Sequence, residues 1–287
     1  MTTLRPCGLG SPTAERLLTV PVDPLDLAAA LADALDTPLP SIGLPAHLWL
    51  LGIGSHHDAA ELVTHLFAGT GRSCRAIGAD GHAQLSGLIG PADTVVLIGP
   101  DDEFLEFGQR VAAGAGALVV ELPEMAVEDD STTRHLTAAI RLARIALAGG
   151  AHGATAADLA RIPGAVAAVA VDPQLPEIRP PKRALLVTGG GPAAVTARHA
   201  AVGFRAAGLP AEGVDAADLL GGLVTDLGAE DTLILLDASR DPESPAASLS
   251  RLAGALGTTV HKMDGPLDLP PVCAQFPLTV RLNLLAR

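Results

Sequence analysis

Tyrosine is absent from the 287 residues, and the aromatic complement is one Trp and five Phe. A chain so poor in rings offers no stacking platform for single-stranded nucleic acid. Positive charge is also scarce, with 19 Lys and Arg against 32 Asp and Glu and a formal net charge of −13. Phosphate backbones are held by clustered cations, so no nucleic-acid partner is expected. The three cysteines, Cys7, Cys74 and Cys273, are far apart and odd in number. They form neither a disulfide framework nor a metal-type spacing and read as ordinary cytosolic thiols. No apolar run approaches the roughly 20 residues of a membrane-spanning helix, and the N-terminus lacks a basic-then-apolar signal pattern. The expected location is cytoplasmic, with no membrane partner.

Apolar residues are what the chain does have: 48% of it is hydrophobic and only 18% charged, against roughly 25% charged in an average globular protein. So little polar surface points to apolar area covered between subunits or between parts of the chain, and a homodimer is expected. The plainer account is that abundant Ala and Gly raise the apolar count without making large patches.

The chain also says nearly the same thing twice. Leu48-Trp49-Leu50-Leu51-Gly52-Ile53-Gly54-Ser55 returns as Ala184-Leu185-Leu186-Val187-Thr188-Gly189-Gly190-Gly191, and Thr94–Gly99 is answered by Thr232–Asp237. The run Val111–Leu118 is answered by Leu252–Thr259, so the offset drifts only from about 136 to about 141 residues. Small loop insertions between two copies of one unit produce such a drift. Each half, of roughly 140 residues, is large enough for its own core.

Each copy alternates strand and helix. In the first, strands are expected at 48–52, 73–77, 94–98 and 117–121, with helices from Ser55, over 104–113 and over 136–148. In the second, strands are expected at 184–187, 233–236 and 258–262, with helices at 193–207, 246–256 and near 278–285. Strands separated by helices of this length call for parallel sheets with right-handed crossovers. The fold class expected is α/β: two parallel-sheet α/β sandwich subdomains related by internal duplication. Residues 1–45 form an N-terminal extension with one amphipathic helix at 24–35, 46–165 the first domain, 166–181 a linker and 182–287 the second domain. The linker contains Asp172-Pro173-Gln174-Leu175-Pro176-Glu177-Ile178-Arg179-Pro180-Pro181, too rich in proline for a helix or a central strand.

Ligands of open parallel sheets bind beyond the carboxyl ends of strands, where helix N-termini present unpaired N–H groups. Gly52-Ile53-Gly54-Ser55 and Gly189-Gly190-Gly191 both stand at such places. They either let a ligand approach the backbone or are simply tight strand-to-helix turns. Neither has the full dinucleotide or P-loop spacing.

With the Gly52–Ser55 loop, the order of elements, and Ser131-Thr132-Thr133-Arg134-His135-Leu136-Thr137 leading into a helix, residues 46–287 resemble the sugar isomerase (SIS) family in its tandem form. The likeness is particularly to the isomerase half of glucosamine-6-phosphate synthase. Ala211-Glu212-Gly213-Val214-Asp215 resembles that family's Ala-Glu-Ala-Tyr stretch. The resemblance implies sugar-phosphate binding by hydroxyl-rich loops of the first half and proton transfer through an enediol by a glutamate of the second. At the place of the family's hydroxyl-rich phosphate loop this chain reads Gly99-Pro100-Asp101-Asp102-Glu103, and carboxylates repel a phosphate dianion. The family's glutamate falls at Arg205, whose guanidinium stays protonated and cannot act as a base. Without a glutaminase domain or the family's lysine-bearing tail, glutamine-dependent synthase activity is not expected.

The site expected on these grounds has Gly54, Ser55, Asp101, Asp102, Ser131, Thr132, Gly190 and Arg205 around the ligand, with Glu212, Asp218 and His56 as candidates for the displaced base. Asp101, Asp102, Glu103 and Glu106 either hold an amine-bearing ligand or make a solvated acidic helix start. Ser131 and Thr132 either line the pocket or cap a helix. His57, Glu61 and His65, four residues apart, share one helix face; they hold a divalent metal such as zinc or form an ordinary polar face. No other cofactor is expected. The expected function is that of a sugar or sugar-phosphate isomerase-like protein, an aldose-ketose isomerase with a relocated base. The alternative is a non-catalytic or structural protein that binds a carbohydrate derivative.

Overall fold

The computed structural model describes residues 22–81, 85, 87–100, 102–123, 130–178, 181–223, 226–237 and 244–286. The chain begins there with α1 (Pro24–Asp36), started by the Asp23 side chain accepting from Leu25 N–H. It continues through β1 (His47–Gly52), α2 (Ser55–Thr64), β2 (Ser73–Ile77), β3 (Thr94–Gly99), α3 (Glu103–Gly114) and β4 (Leu118–Pro123) to α4 (Ser131–Ala148) and α5 (Ala156–Val171). The second half holds β5 (Leu185–Gly189), α6 (Pro192–Ala206), β6 (Ala211–Asp215), β7 (Thr232–Asp237), α7 (Pro245–Ala255), β8 (Thr259–Asp264) and α8 (Pro271–Leu285).

Among the described residues, eight strands form two four-stranded sheets of identical order, β2-β1-β3-β4 and β6-β5-β7-β8, and every pairing is parallel. The α/β class expected from the alternating pattern is the class observed. Period-two alternation sorts each strand's side chains to two faces. Leu48, Leu50, Val96, Ile98, Val120 and Leu122 turn to one face of the first sheet, while Trp49, Leu51, Val95 and Leu97 meet Phe104, Leu105 and Ala112 of α3 on the other. In the second sheet Leu185, Val187, Ile234 and Leu236 face α6 and α8, and Leu233 and Leu235 face α7. Helices α2 and α4 of the first half and α6 and α8 of the second therefore meet in a shared layer. Phe276 and Val280 of α8 belong to the same core cluster as Leu50 and Ile98.

Several elements differ from expectation. Helix α4 starts at Ser131, five residues earlier than position 136, because buried Asp130 caps it: Oδ1 accepts from Thr132 N–H and Thr133 N–H, and Oδ2 from the Thr133 hydroxyl. Ser131 and Thr132 are thus first-turn residues and not the cap. Helix α2 starts at Ser55 as expected, with Gly54 as its N-cap. Helix α8 starts at Pro271 and carries Pro277 inside it, which masks its first turn in the sequence. Helix α5 was not expected at all and occupies residues on both sides of position 165; Asp172 to Ile178 follow it without helix or strand. Strand β6 was likewise not expected. No helix among the described residues is long and apolar enough to cross a membrane.

Candidate functional site

The strand-to-helix turns after β1 and β5 share one unusual geometry. Gly54 has φ 55° and ψ −125°, and Gly191 has φ 57° and ψ −124°, a region open to glycine and strained for other residues. Before the first of these turns, a Cβ on Gly52 would come within 2.8 Å of the His56 carbonyl carbon. Only a bare backbone lets the start of α2 press so closely on the end of β1. The first turn of α2 then fans its side chains outward at about 100° per residue. His56 is buried against Gly99 at the end of β3, the His57 ring lies against Gly78 just beyond β2, and Asp58 points across to α6.

That third direction carries the densest chemistry. Asp58 Oδ2 lies 3.0 Å from His199 Nδ1 of α6. The His199 ring stacks on His135 of α4 with centroids 4.2 Å apart and planes at 19°. His135 Nδ1 stands 3.2 Å from the Ser55 carbonyl. A carbonyl only accepts, so this nitrogen carries the proton and Nε2 of the neutral ring is an acceptor. His135 Nε2 and Thr196 Oγ1, both on fully buried residues, find no hydrogen-bond partner among the described residues. The N-terminal parts of α2 and α4 and the middle of α6, from both halves, thereby meet beside the Gly54–Ser55 turn.

The electrostatics follow from burial. Enclosure, then the nearby His199, lower His135 to about 3 despite the opposing pull of Asp58 and the Ser55 carbonyl, so it is neutral at ordinary pH. Burial alone would raise Asp58, but the hydrogen bond from His199 leads the influences that outweigh it and hold the carboxyl below its ordinary value. One turn further along α2, Glu61 pairs with Arg198. His65 lies lowered by burial, with Glu61 and Asp215 pulling it up and Arg198 pushing it down.

The sequence-expected residues are distributed as follows. Gly54 and Ser55 form the turn at this meeting point; Ser131 and Thr132 begin the helix that carries His135, and Thr132 Oγ1 accepts from Asn283 Nδ2 of α8 at 3.1 Å. Gly190 lies in the corresponding turn of the second half, its carbonyl accepting from Ala193 N–H. Asp102 caps α3 by accepting from Phe104 N–H at 2.8 Å, at the edge of a hollow of about 370 Å³ that Gly99, Glu106, Gln109 and Glu121 also line. Asp101 lies outside the described residues. Arg205 is exposed in the last turn of α6 and donates from Nη1 to the carbonyl of Ala211, the first residue of β6. That is the opposite end of the sheet from the glycine turns. Glu212 and Asp218 are exposed, on β6 and in the short turn after it.

His57, Glu61 and His65 do follow one another along α2 and the turn after it, but Glu61 is engaged by Arg198. Among the described residues no three His, Cys, Asp or Glu side chains gather into a set able to hold a metal ion. Sequence reasoning missed the Asp58–His199 pair. Its members are 141 positions apart, and no spacing rule joins residues on two helices of different halves.

No protein-family model matches the chain, and no curated protein sequence matches it significantly. Its fold is that of SIS-domain proteins, as solved structures show. The chain is similar to the C-terminal domain of glucosamine-fructose-6-phosphate aminotransferase from Francisella tularensis, with TM-score 0.69, 14% identity, and 92% of this chain and 93% of that one covered. Similar too are glucosamine-6-phosphate deaminase from Thermotoga maritima (TM-score 0.67, 11% identity, 95% and 92% covered) and tagatose-6-phosphate ketose/aldose isomerase from Escherichia coli (TM-score 0.61, 13% identity, 95% and 89% covered).

Proposed function

We propose that this chain binds a carbohydrate derivative where the Gly54–Ser55 turn, the first turn of α4 with Ser131 and Thr132, and α6 converge, and that it interconverts aldose and ketose forms there. The observation that carries the reading is the meeting of Asp58, in the first turn after the carboxyl end of β1, with His199 and His135; parallel sheets bind ligands at such strand ends. The solved structures of this fold named above are those of proteins acting on sugar phosphates. The choice of ligand rests on the acidic segment after β3, where Asp102, Glu106 and Glu121 line a separate hollow on the α3 face of the first sheet and would repel a phosphate reaching it; the ligand in this reading is an aminated or unphosphorylated sugar. The protein works as a cytoplasmic homodimer in this reading, an assembly state that light scattering measures.

A thermal-shift panel of glucose, fructose and glucosamine with their 6-phosphates, with and without zinc, tests binding. Stabilisation by free or aminated sugars supports the reading; stabilisation by the phosphates alone overturns the choice of ligand. A zinc-dependent shift abolished by Glu61→Gln would support the His57, Glu61 and His65 set. Deuterium entering the carbon next to the carbonyl in heavy water reads the isomerisation. Binding without exchange leaves a non-catalytic sugar-binding protein.

A further inference from the structure

On the proposed aldose-ketose reading, we infer that Asp58 is the base that moves the substrate proton, and that His199 is its positioning residue. The geometry assigns different tasks to the two carboxylate oxygens. Oδ2 is held by His199 Nδ1 at 3.0 Å, while Oδ1 makes no hydrogen bond among the described residues. The side chain of Asp58 keeps 27% of its exposure against 8% for His199, so the carboxylate is the member of the pair that a ligand reaches. Behind it the His199 ring is fixed by stacking on fully buried His135, which is tied in turn to the Ser55 carbonyl. The carboxylate is thereby fastened to the glycine turn that bounds the proposed binding place. A base held this way needs no reorganisation to receive a proton.

The other candidates for the base lack such support. Glu212 and Asp218 are exposed, and His56 is buried against Gly99. The charged and titratable groups around Asp58 are His57 of α2, His135 of α4 and His199 of α6. Of these, the His199 hydrogen bond favours its ionised form most.

The step balances as follows. Asp58 Oδ1 takes the proton from carbon 2 of the open-chain aldose. The C–H electron pair becomes the second C1–C2 bond, and the C1 carbonyl π pair moves to O1, which takes a proton from water. The protonated carboxyl then returns its proton to C1 as the enediol electrons move back, and the O2 hydroxyl proton passes to water as the C2 carbonyl forms.

The test uses the full chain with glucose, fructose, glucosamine and their 6-phosphates in heavy water, followed by NMR. Asp58→Asn is expected to lower deuterium incorporation about a thousandfold while the thermal shift by the sugar persists. His199→Phe keeps a ring to stack on His135 but removes the donor. It is expected to lower the exchange rate about tenfold to a hundredfold in kcat while the thermal shift by the sugar persists, and His199→Asn, which keeps a donor, is expected to recover part of the rate. A merely structural role for His199 would lower binding and rate together and would not be rescued by a donor. Asp58→Glu, which keeps the charge but displaces the oxygens, gives the same loss of rate should the Asn variant not fold. Undiminished exchange in both Asp58 variants overturns this inference and leaves the proposed function standing. A wild-type protein that binds sugar but exchanges no proton overturns both.

Discussion

Glu61 and Arg198 stand at matching places in the two halves, each seven residues beyond the glycine that caps its helix, and they are ion-paired across the contact of α2 with α6. Charges of opposite sign at equivalent positions join the halves where two like charges would push them apart. Their side chains remain 40% (Arg198) and 36% (Glu61) exposed, so water screens much of the attraction. Arg198→Ala is expected to lower stability by only about 0.2–1 kcal/mol, and by less at high salt. The exchanged pair Glu61→Arg with Arg198→Glu should recover most of that loss in urea unfolding. A cost well above this range would mean that Arg198 supports more than the ion pair.

His135 gives the fold a specific acid sensitivity. Its folded value near 3 lies below the ordinary 6.5, so the unfolded chain binds the proton more readily. Stability from this group is complete above about pH 6.5 and is lost progressively as pH falls toward 3, at a slope of up to about 1.4 kcal/mol per pH unit. Gln275 holds the corresponding fifth position of α8 and is fully buried, so the fold itself suggests His135→Gln as the neutral replacement. Urea midpoints between pH 7 and pH 4.5 should fall less steeply in the variant. His65 is also lowered and retains a smaller share of the slope. Equal slopes in variant and wild type would show that the buried ring is not the sensor.

The sheets were legible because apolar runs such as Leu48–Leu51 and Leu233–Leu236 have few other solutions, and the repeated glycine turns marked where each strand gives way to a helix. Helix α5 was hidden by Pro163 and Gly164, a pair that reads as a turn. Buried Leu159, Ile162, Val166 and Val169, at spacings of three and four, override that local signal by packing on the core. The capping box of Thr155 with Asp158 was the sequence sign of its start. Strand β6, Ala-Glu-Gly-Val-Asp, has almost no β propensity and exists through its pairing with β5. The candidate site was half legible. Its turns announce themselves, while the partnership of Asp58 with His199 exists only after α2 and α6 have packed.

Asp93 and Asp231 make a matched pair of buried staples, each accepting from the backbone N–H three residues earlier, Gly90 and Gly228. Asp93 also accepts from His47 N–H and from the indole of Trp49, at 3.2 Å in each case. Replacing it with Ala leaves three donors without an acceptor at the N-terminal end of the two central strands of the first sheet, an expected loss of about 2–4 kcal/mol. Trp49 is the only tryptophan, so its fluorescence reports this place alone. The Asp93→Ala variant should shift the emission maximum in the folded protein as well as lower the urea midpoint. An unchanged spectrum would mean that the indole has found another acceptor.

Two glycines near α6 separate close packing from conformational freedom. An added Cβ on Gly213 of β6 would stand 2.4 Å from Arg198 Cα and 2.6 Å from the Ala197 carbonyl oxygen, both rigid backbone. Gly213→Ala must push α6 away from the sheet, at an expected cost of about 1–3 kcal/mol. Because α6 carries His199, the displacement also loosens the hydrogen bond to Asp58. Gly203 lies inside the same helix with nothing within 4 Å of the added atom, so Gly203→Ala gains helix propensity and should raise stability by about 0.5–1 kcal/mol. Thermal unfolding of the two variants therefore moves in opposite directions. If Gly213→Ala proved neutral, α6 would not be seated on β6 as closely as the position of Arg198 requires, and the alignment of His199 with Asp58 would lose its support.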